Sequence, residues 1–273
     1  MKRSHRLVAL TNFLLENART TKKLSYFAEK YTSAKSSISE DLDIVNEVFQ
    51  QLGIGYIDRI SGSSGGARYI PKLEYEQGIK FIHELCERLE DPDRILPGDY
   101  LYMSDLLGDP QTVREIGRIL AAEFSERDID VIVTVETKGI PLAYAVAEFL
   151  SVPVVIARRD PKVTEGSSVS INYVSGSSRK IQTMVLARRS LQEGANVGII
   201  DDFMKAGGTI TGIVDLLKEF NANVKAIGVL AEADDEEDER VVDDYVSLIK
   251  LTDVNSKKKS IKAHPGTYGR KNK

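Results

Sequence analysis

Two adjacent carboxylates stand a few residues before a glycine turn in the sequence Asp201-Asp202-Phe203-Met204-Lys205-Ala206-Gly207-Gly208-Thr209. An apolar stretch precedes the acids, and a helical pattern follows the glycines, so backbone N–H groups at the start of that helix can bind an anion. The acids cannot bind the same anion, and we expect them to face hydroxyl groups or a hydrated metal on the far side of one ligand. The pattern predicts a site for a sugar phosphate.

A second turn with a cation and a glycine, Thr137-Lys138-Gly139, follows another apolar stretch and predicts a second anion cradle. Farther along, basic residues lead into a Ser/Gly-rich, β-prone segment over residues 166–183. Cations in this region could neutralise a pyrophosphate; they are Arg158, Lys162, Arg179 and Lys180. Tyr100 is interpreted first as a packing residue and second as a side chain that reaches the ligand.

These segments resemble the phosphoribosyl pyrophosphate motif of type I phosphoribosyltransferases, with its apolar strand, two acids and glycine turn in the same order. The resemblance implies that Asp201 and Asp202 bind the ribose hydroxyls and that the glycine turn binds the 5′-phosphate. It also implies that the earlier turn binds pyrophosphate and that segment 166–183 folds over the ligand. Ala206 stands where most members have threonine or asparagine. The alternatives are a solvated strand end and the acidic pocket of a phosphorelay receiver, which opens its domain and lacks Gly-Gly-Thr.

The elements that must position these residues alternate between strand and helix. Strands are predicted at 131–135, 154–157, 197–200 and 224–230, and helices at 140–150 and 209–220. This alternation is typical of an α/β fold with a parallel sheet and helical crossovers. The acid pair then lies at the carboxyl end of a central strand, where open α/β sheets bind ligands.

The first part of the chain has a different pattern. Three amphipathic helices are predicted, with only Thr32-Ser33-Ala34 between the second and third, and strands at 54–60 and 67–70 surround a Gly/Ser-rich tip. Three helices followed by a hairpin form a winged helix-turn-helix. We therefore predict a winged-helix DNA-binding domain over residues 1–73 and a phosphoribosyltransferase-like domain over 74–273.

Short polar residues and a cation open the third predicted helix and would let it enter a major groove closely. The predicted DNA contacts are Lys2, Arg3, Lys35, Ser36, Ser37, Ser39, Arg59 and Arg68. In the alternative interpretation, Ser37 and Glu40 form a capping box on an ordinary helix. The tail from Ser256 has seven Lys/Arg and no acid, and we expect it to lack structure near its end and to contact DNA nonspecifically.

Composition sets the remaining bounds. The first 72 residues hold eleven Lys/Arg and seven Asp/Glu, whereas the rest hold 26 and 34, so the basic front suits a polyanion partner. A lone Cys86 excludes a disulfide framework and fits a reducing compartment. No signal peptide or stretch long enough to span a membrane is apparent, so a cytoplasmic location is expected. No metal site is predicted from the protein's residues.

A winged helix joined to a phosphoribosyltransferase-type domain is similar to the purine operon repressor family of Gram-positive bacteria. The most specific segments are 34–42, 162–167 and 201–209. The resemblance implies a homodimeric transcription regulator without transferase activity. It would bind double-stranded DNA at purine gene control regions and sense phosphoribosyl pyrophosphate, with or without Mg²⁺, in possible competition with purine nucleotides. The alternatives are an active purine phosphoribosyltransferase with a regulatory DNA-binding arm and a winged-helix regulator answering to a purine nucleotide or alarmone.

Overall fold

The computed structural model describes residues 1–62, 65–98, 100–160, 166–174, 181–234, 242 and 244–270. An N-terminal domain of three helices and a hairpin precedes a C-terminal α/β domain, which confirms the predicted fold class. The N-terminal elements are α1 (Arg3–Glu16), α2 (Leu24–Lys30), α3 (Lys35–Gln51), β1 (Gly55–Ile60) and β2 (Gly66–Pro71).

One hydrophobic core unites the N-terminal domain. The apolar residues at helical spacing along its three helices are buried, among them Leu10, Phe27, Leu42 and Phe49. β1 and β2 pair antiparallel, and Ala67 on β2 also forms a bridge with Lys22 just before α2. The domain is therefore a winged helix in which the hairpin packs directly on the helices.

An ion pair is buried between α1 and α3. Asp41 on α3 is 0% exposed, and its carboxylate accepts hydrogen bonds from the guanidinium groups of Arg6 and Arg3 on α1. Arg6 is itself buried. The cluster fixes α1 on α3, and Arg3 has a structural partner in addition to its predicted role at DNA.

The C-terminal domain contains α4 (Tyr75–Leu89), β3 (Ile95–Leu96), β4 (Tyr100–Leu101), α5 (Ser104–Gly108), α6 (Pro110–Phe124), β5 (Val131–Val135), α7 (Gly139–Leu150), β6 (Val154–Ala157), β7 (Ser168–Val174), β8 (Ile181–Ala187), β9 (Asn196–Met204), α8 (Gly208–Lys218), β10 (Asn223–Ala233), β11 (Val246–Asn255) and β12 (Ser260–Pro265). Six strands form the main sheet in the order β12-β11-β10-β9-β5-β6. All neighbours in this sheet are parallel except β11 and β12. β7 and β8 form a separate antiparallel hairpin.

Hydrophobic cores cover both faces of the main sheet. α4, α6 and α7 pack on one face through residues such as Leu85, Ile116 and Val146. α8 and the β7–β8 hairpin pack on the other through residues such as Ile213 and Met184. Among the described helices, none has the length and apolarity needed to cross a membrane.

The tail differs from its prediction. Residues 260–265 form β12, which pairs with β11 at the edge of the sheet, and a 3₁₀ turn follows at Thr267–Arg270. Tyr268 is 3% exposed and stacks on Tyr75 of α4. The expected lack of structure near the end of the tail is therefore wrong as far as residue 270. Alternate residues of the lysine-rich segment, such as Ile261 and Ala263, are apolar and bury one face of β12.

Candidate functional site

A cavity of about 670 Å³ opens at the carboxyl edge of the main sheet. Its walls come from the ends of β5, β9, β10 and β11, from the start of α8, and from the β3–β4 and β7–β8 hairpins. The predicted ligand-binding residues that line it are Tyr100, Thr137, Lys138, Asp201, Asp202, Phe203, Lys205, Gly207, Gly208 and Thr209. The fold thus brings together two turns that lie about seventy residues apart in the sequence.

The acid pair, Asp201 and Asp202, lies inside β9 rather than after it. Pairing with β10 continues through Asp201, Phe203 and Met204, so the strand extends four residues beyond its predicted end. Asp201 is 5% exposed, and its Oδ1 atom accepts a hydrogen bond from the Asp202 backbone N–H at 2.8 Å. Burial, and secondarily the nearby Asp202 carboxylate, raise the pKa of Asp201 well above its usual value. The cavity therefore has a buried acid that would be stabilised by hydroxyl donors or by a cation.

Gly139 allows the β5–α7 loop, residues 136–138, to approach this acid. A Cβ atom on Gly139 would lie 2.4 Å from the Thr134 Oγ1 atom and 3.1 Å from the Asp201 Oδ1 atom. Gly139 itself packs beside Thr134 and Asp201 and is not among the residues that line the cavity. The close approach explains why the predicted loop needs a glycine at this position.

The glycine turn at 206–209 has the backbone of an anion site. Gly207 adopts a φ of 84°, in the left-handed region that favours glycine, and α8 begins at Gly208. The first N–H groups of a helix lack intrahelical acceptors and point toward the space before it. Gly207, Gly208, Thr209 and Ile210 line the cavity, whereas Ala206 is in the turn but outside the lining.

Two neighbouring arginines, Arg158 and Arg159, differ in their position relative to the cavity. The Arg158 Nη1 atom lies 3.4 Å from the Glu136 Oε2 atom, and Arg158 does not line the cavity, whereas its neighbour Arg159 does. The Arg159 backbone N–H donates to the Glu136 Oε1 atom at 2.8 Å. Successive side chains along an extended segment point in opposite directions, and the sequence did not show which of the two arginines faces inward. Lys162, Arg179 and Lys180 lie outside the described residues.

The β7–β8 hairpin supplies two cavity residues that the sequence motifs did not reveal. Tyr173 and Gln182 line the cavity, and the Tyr173 hydroxyl lies 2.9 Å from the Gln182 Oε1 atom. Gly212 on α8 makes room for Tyr173, because a Cβ atom there would lie 2.8 Å from the Tyr173 Cγ atom. The described part of segment 166–183 is thus packed against the helix that follows the glycine turn.

Apolar side chains also line the cavity, and we call the following set the apolar wall. Its members share aliphatic, thioether or aromatic side chains and are Leu101, Met103, Phe203, Leu251 and Val254. Tyr100, which is 55% exposed, also lines the cavity. This wall can pack against a flat or apolar group, and its β11 members were missed because β11 was not predicted.

Six of the eight predicted DNA contacts lie on α3 and the hairpin, and the other two lie at or just before the start of α1. Lys35 and Ser36 are exposed on the first turn of α3, and Ser37 and Ser39 are half-buried. The residue that caps α3 is Ala34, and no side chain caps its first turn, so the capping box of Ser37 and Glu40 does not form. Lys2 is exposed just before α1.

Both hairpin arginines bind carboxylates. Arg59 contacts Asp43 on α3 at 2.7 Å and donates to the Ser39 carbonyl at 2.8 Å. Arg68 contacts Asp58 across the hairpin at 2.9 Å. Both arginines thus have carboxylate partners in the free protein, and a DNA phosphate would compete with those partners.

Two family models match different parts of the chain. A family model described as "Bacterial purine repressor, N-terminal" matches residues 2–71, and one described as "Phosphoribosyl transferase domain" matches residues 103–263. The purine biosynthesis transcriptional repressor PurR of Bacillus subtilis is 56% identical over 267 residues, covering 98% of this chain and 93% of the relative. The purine biosynthesis transcriptional activator PurR of Lactococcus lactis is 45% identical over 266 residues, covering 97% and 98%.

A solved structure supports the fold of the second domain. Adenine phosphoribosyltransferase from Thermoanaerobacter pseudethanolicus superposes with a TM-score of 0.53 at 23% identity, covering 61% of this chain and 98% of that one. The superposition covers 61% of this chain, whereas the curated relatives match across nearly the whole chain.

Proposed function

The chain belongs to the bacterial purine repressor family, and we propose that it is a DNA-binding regulator of purine biosynthesis genes that senses phosphoribosyl pyrophosphate. One cavity contains an acid pair, a glycine turn at a helix start and a second anion loop with a cation. This observation supports phosphoribosyl pyrophosphate as the effector. A ribose with a phosphate on one side and a pyrophosphate on the other presents the matching groups.

Each part of the ligand has a chemically suited partner. The Asp201 and Asp202 carboxylates accept hydrogen bonds from the ribose hydroxyls, and the N–H groups of the glycine turn bind the 5′-phosphate. Lys138 and Arg159 neutralise the pyrophosphate from the opposite side. A Mg²⁺ ion bound to the pyrophosphate would reduce the repulsion between the ligand and the acid pair.

Regulation rather than catalysis is the expected output. The chain joins a winged helix to the proposed effector domain. Relatives that match along nearly its full length are named as a transcriptional repressor and a transcriptional activator. Phosphoribosyl pyrophosphate is a substrate of purine synthesis, so its presence should relieve repression. We therefore expect it to lower the affinity of the protein for DNA. Two winged helices in a homodimer would favour DNA sites with inverted symmetry.

The second candidate is an active purine phosphoribosyltransferase, and the apolar wall is the observation that favours it, because a purine ring could pack there. The same wall would suit a purine nucleotide or alarmone as a competing effector. Base-dependent release of pyrophosphate separates the candidates. We expect none with adenine, guanine, hypoxanthine or xanthine, and turnover of about 1 s⁻¹ or more would favour the enzyme.

Calorimetric titration with phosphoribosyl pyrophosphate, with and without Mg²⁺, tests effector binding. The wild type should bind, and the double variant Asp201→Asn, Asp202→Asn should lose about 1.5–3 kcal/mol per charged hydrogen bond removed. Asp215→Asn is a matched control, because Asp215 is on the surface of α8 and contacts only Lys218 among the ion pairs of the described residues. Unchanged affinity in the double variant would show that the acid pair does not hold the ligand.

A further inference from the structure

Arg19 joins the winged helix to the amino-terminal edge of the main sheet. It lies between α1 and α2, and its backbone N–H donates to the Tyr69 carbonyl on β2 at 2.7 Å. Its guanidinium donates to two carbonyls of the second domain, that of Arg127 at 2.8 Å and that of Ile129 at 3.3 Å. Burial lowers the pKa of Arg19, and the carboxylates of Asp128 and Asp130 oppose this shift. Arg19 thus connects the base of the hairpin, through its backbone, with residues 127–130, through its side chain, and we call residues 127–130 the strand-start segment.

The strand-start segment connects the amino ends of three central strands. It continues directly into β5. Asp130 exchanges hydrogen bonds with Asn196, the first residue of β9: the Asp130 N–H donates to the Asn196 carbonyl at 2.8 Å, and the Asn196 N–H donates to the Asp130 Oδ2 atom at 2.9 Å. The Arg127 side chain donates to the Lys225 carbonyl at the start of β10. Arg19 therefore contacts the point at which β5, β9 and β10 are held in register.

The opposite ends of the same strands form the cavity. β5 leads into the loop 136–138, β9 contains the acid pair, and β10 ends at Ala233 in the cavity wall. β5 has five residues, so at about 3.3 Å per residue the two ends are separated by roughly 17 Å. Hydrogen-bonded strands are stiff over such a distance, and a displacement at one end is felt at the other.

A second contact between the domains ends at the helix predicted to read DNA. The Arg118 Nη2 atom on α6 lies 3.5 Å from the Gly53 carbonyl oxygen, directly after α3, and 3.1 Å from the Gln77 Oε1 atom on α4. Gly53 has a φ of 62°, the left-handed conformation common just after a helix. Both ends of the helix-and-hairpin unit, the base of the hairpin and the end of α3, are thus held by arginines at the domain boundary.

We propose that Arg19 couples the effector cavity to the DNA-binding surface by fixing the winged helix to the strand-start segment. Occupation of the cavity pulls β5 and β9 together at their carboxyl ends, and the strand-start segment turns the winged helix through Arg19. This inference rests on the proposed function, because it assigns the regulation of the same cavity. Arg19 is a positioning residue that contacts neither effector nor DNA. A purely structural Arg19 would affect stability and leave the effector response intact, so the response itself is the diagnostic quantity.

The test is a binding cycle with Arg19→Gln, Arg19→Lys and the control Arg114→Gln. Arg114 is exposed and contacts Glu148 within the second domain, so its substitution removes an arginine without touching the boundary. Affinity for a duplex containing a purine gene control region is measured with and without phosphoribosyl pyrophosphate at constant free Mg²⁺ and salt. Wild type and Arg114→Gln should show the same change in DNA affinity, within the roughly 5–150-fold range of allosteric couplings.

The quantity compared is the ratio of DNA affinity without phosphoribosyl pyrophosphate to DNA affinity with it. In Arg19→Gln this ratio should fall toward one, while effector affinity and effector-free DNA affinity each stay within about threefold of wild type. Arg19→Lys keeps the charge but lacks the planar guanidinium group that donates to both carbonyls. The ratio measured for this variant should be intermediate. A full wild-type ratio in Arg19→Gln overturns the proposal, whatever happens to stability.

Hydrogen exchange keeps this test separate from the proposed function. If wild type shows no response to phosphoribosyl pyrophosphate, the proposed effector is wrong, and DNA alone then serves as the probe. The proposal predicts that DNA changes the exchange of amides 197–205 in wild type and leaves them unchanged in Arg19→Gln. The same exchange pattern in both proteins, or no change in wild type, contradicts the coupling.

Discussion

The ion-paired carboxylates of the winged helix and the acid pair of the cavity stand in opposite environments. In the winged helix Asp41, Asp43 and Asp58 each bind an arginine. In the cavity Asp201 is buried beside Asp202, and its pKa is raised as a result. Groups that stabilise a fold are satisfied in the free protein, whereas groups arranged for a ligand often cost stability until the ligand binds. The contrast separates the carboxylates that maintain structure from those that await a partner.

The largest expected effect tests the structural side of this contrast. Asp41→Ala leaves Arg6 buried without its carboxylate and should lower the free energy of unfolding by about 3–5 kcal/mol, measured by urea denaturation. Asp43→Ala removes an exposed partner of Arg59 and should cost only about 0–1 kcal/mol. Equal losses in the two variants would show that burial does not distinguish these ion pairs.

The cavity should respond in the opposite direction. Asp201→Asn keeps the shape of the side chain and removes the charge next to Asp202, so it should raise the free energy of unfolding by about 0.5–2 kcal/mol at neutral pH. Asp215→Asn, on the surface of α8, should have little effect. A loss of stability at pH 7 in Asp201→Asn would mean that the acid pair supports the fold.

The pH dependence of the stability gained in Asp201→Asn follows from the direction of the Asp201 pKa shift. The pKa of Asp201 is higher in the folded protein than in the unfolded chain, where it is about 3.9, so the folded state holds the proton more tightly. Wild type has no penalty below the unfolded pKa and loses stability as pH rises from there toward the folded pKa. The advantage of Asp201→Asn should thus be absent near pH 4 and should increase toward pH 7 in urea unfolding experiments.

The smallest effect concerns DNA phosphates. Lys35→Ala should reduce the slope of log affinity against log salt by about one unit, with similar losses on all sequences. Arg59→Ala should change the slope less, because Arg59 must leave Asp43 to reach a phosphate. Ser36→Ala should instead alter which sites are preferred. An unchanged slope in Lys35→Ala would place the DNA on another surface.

The sequence predicted well where a pattern depends on burial. β5 and β6 have their predicted bounds because each is a short, largely apolar run, with all of β5 and alternate residues of β6 buried. The sequence predicted strand ends and side-chain directions less well where these depend on neighbouring elements. The extension of β9 through Asp201 depends on pairing with β10, and the choice of Arg159 over Arg158 depends on which way a strand end faces.

Partners distant in the sequence were also invisible to pattern analysis. The carboxylates that bind Arg59 and Arg68 come from α3 and from the opposite strand, and Arg19 reaches carbonyls more than a hundred residues away. β11 and β12 went unnoticed because an acidic run precedes them and lysines separate them. The glycine turn was found because its chemistry lies within one short segment.

The central claim is that a ligand at the acid pair changes what the winged helix does. Its most direct test is DNA affinity of wild type and of Asp201→Asn, Asp202→Asn, each with and without phosphoribosyl pyrophosphate at one salt concentration. Wild type should lose DNA affinity by a factor of roughly 5–150 when the ligand is added, and the double variant should bind DNA as tightly as free wild type with no response. The same response in both proteins, or none in wild type, would contradict the account.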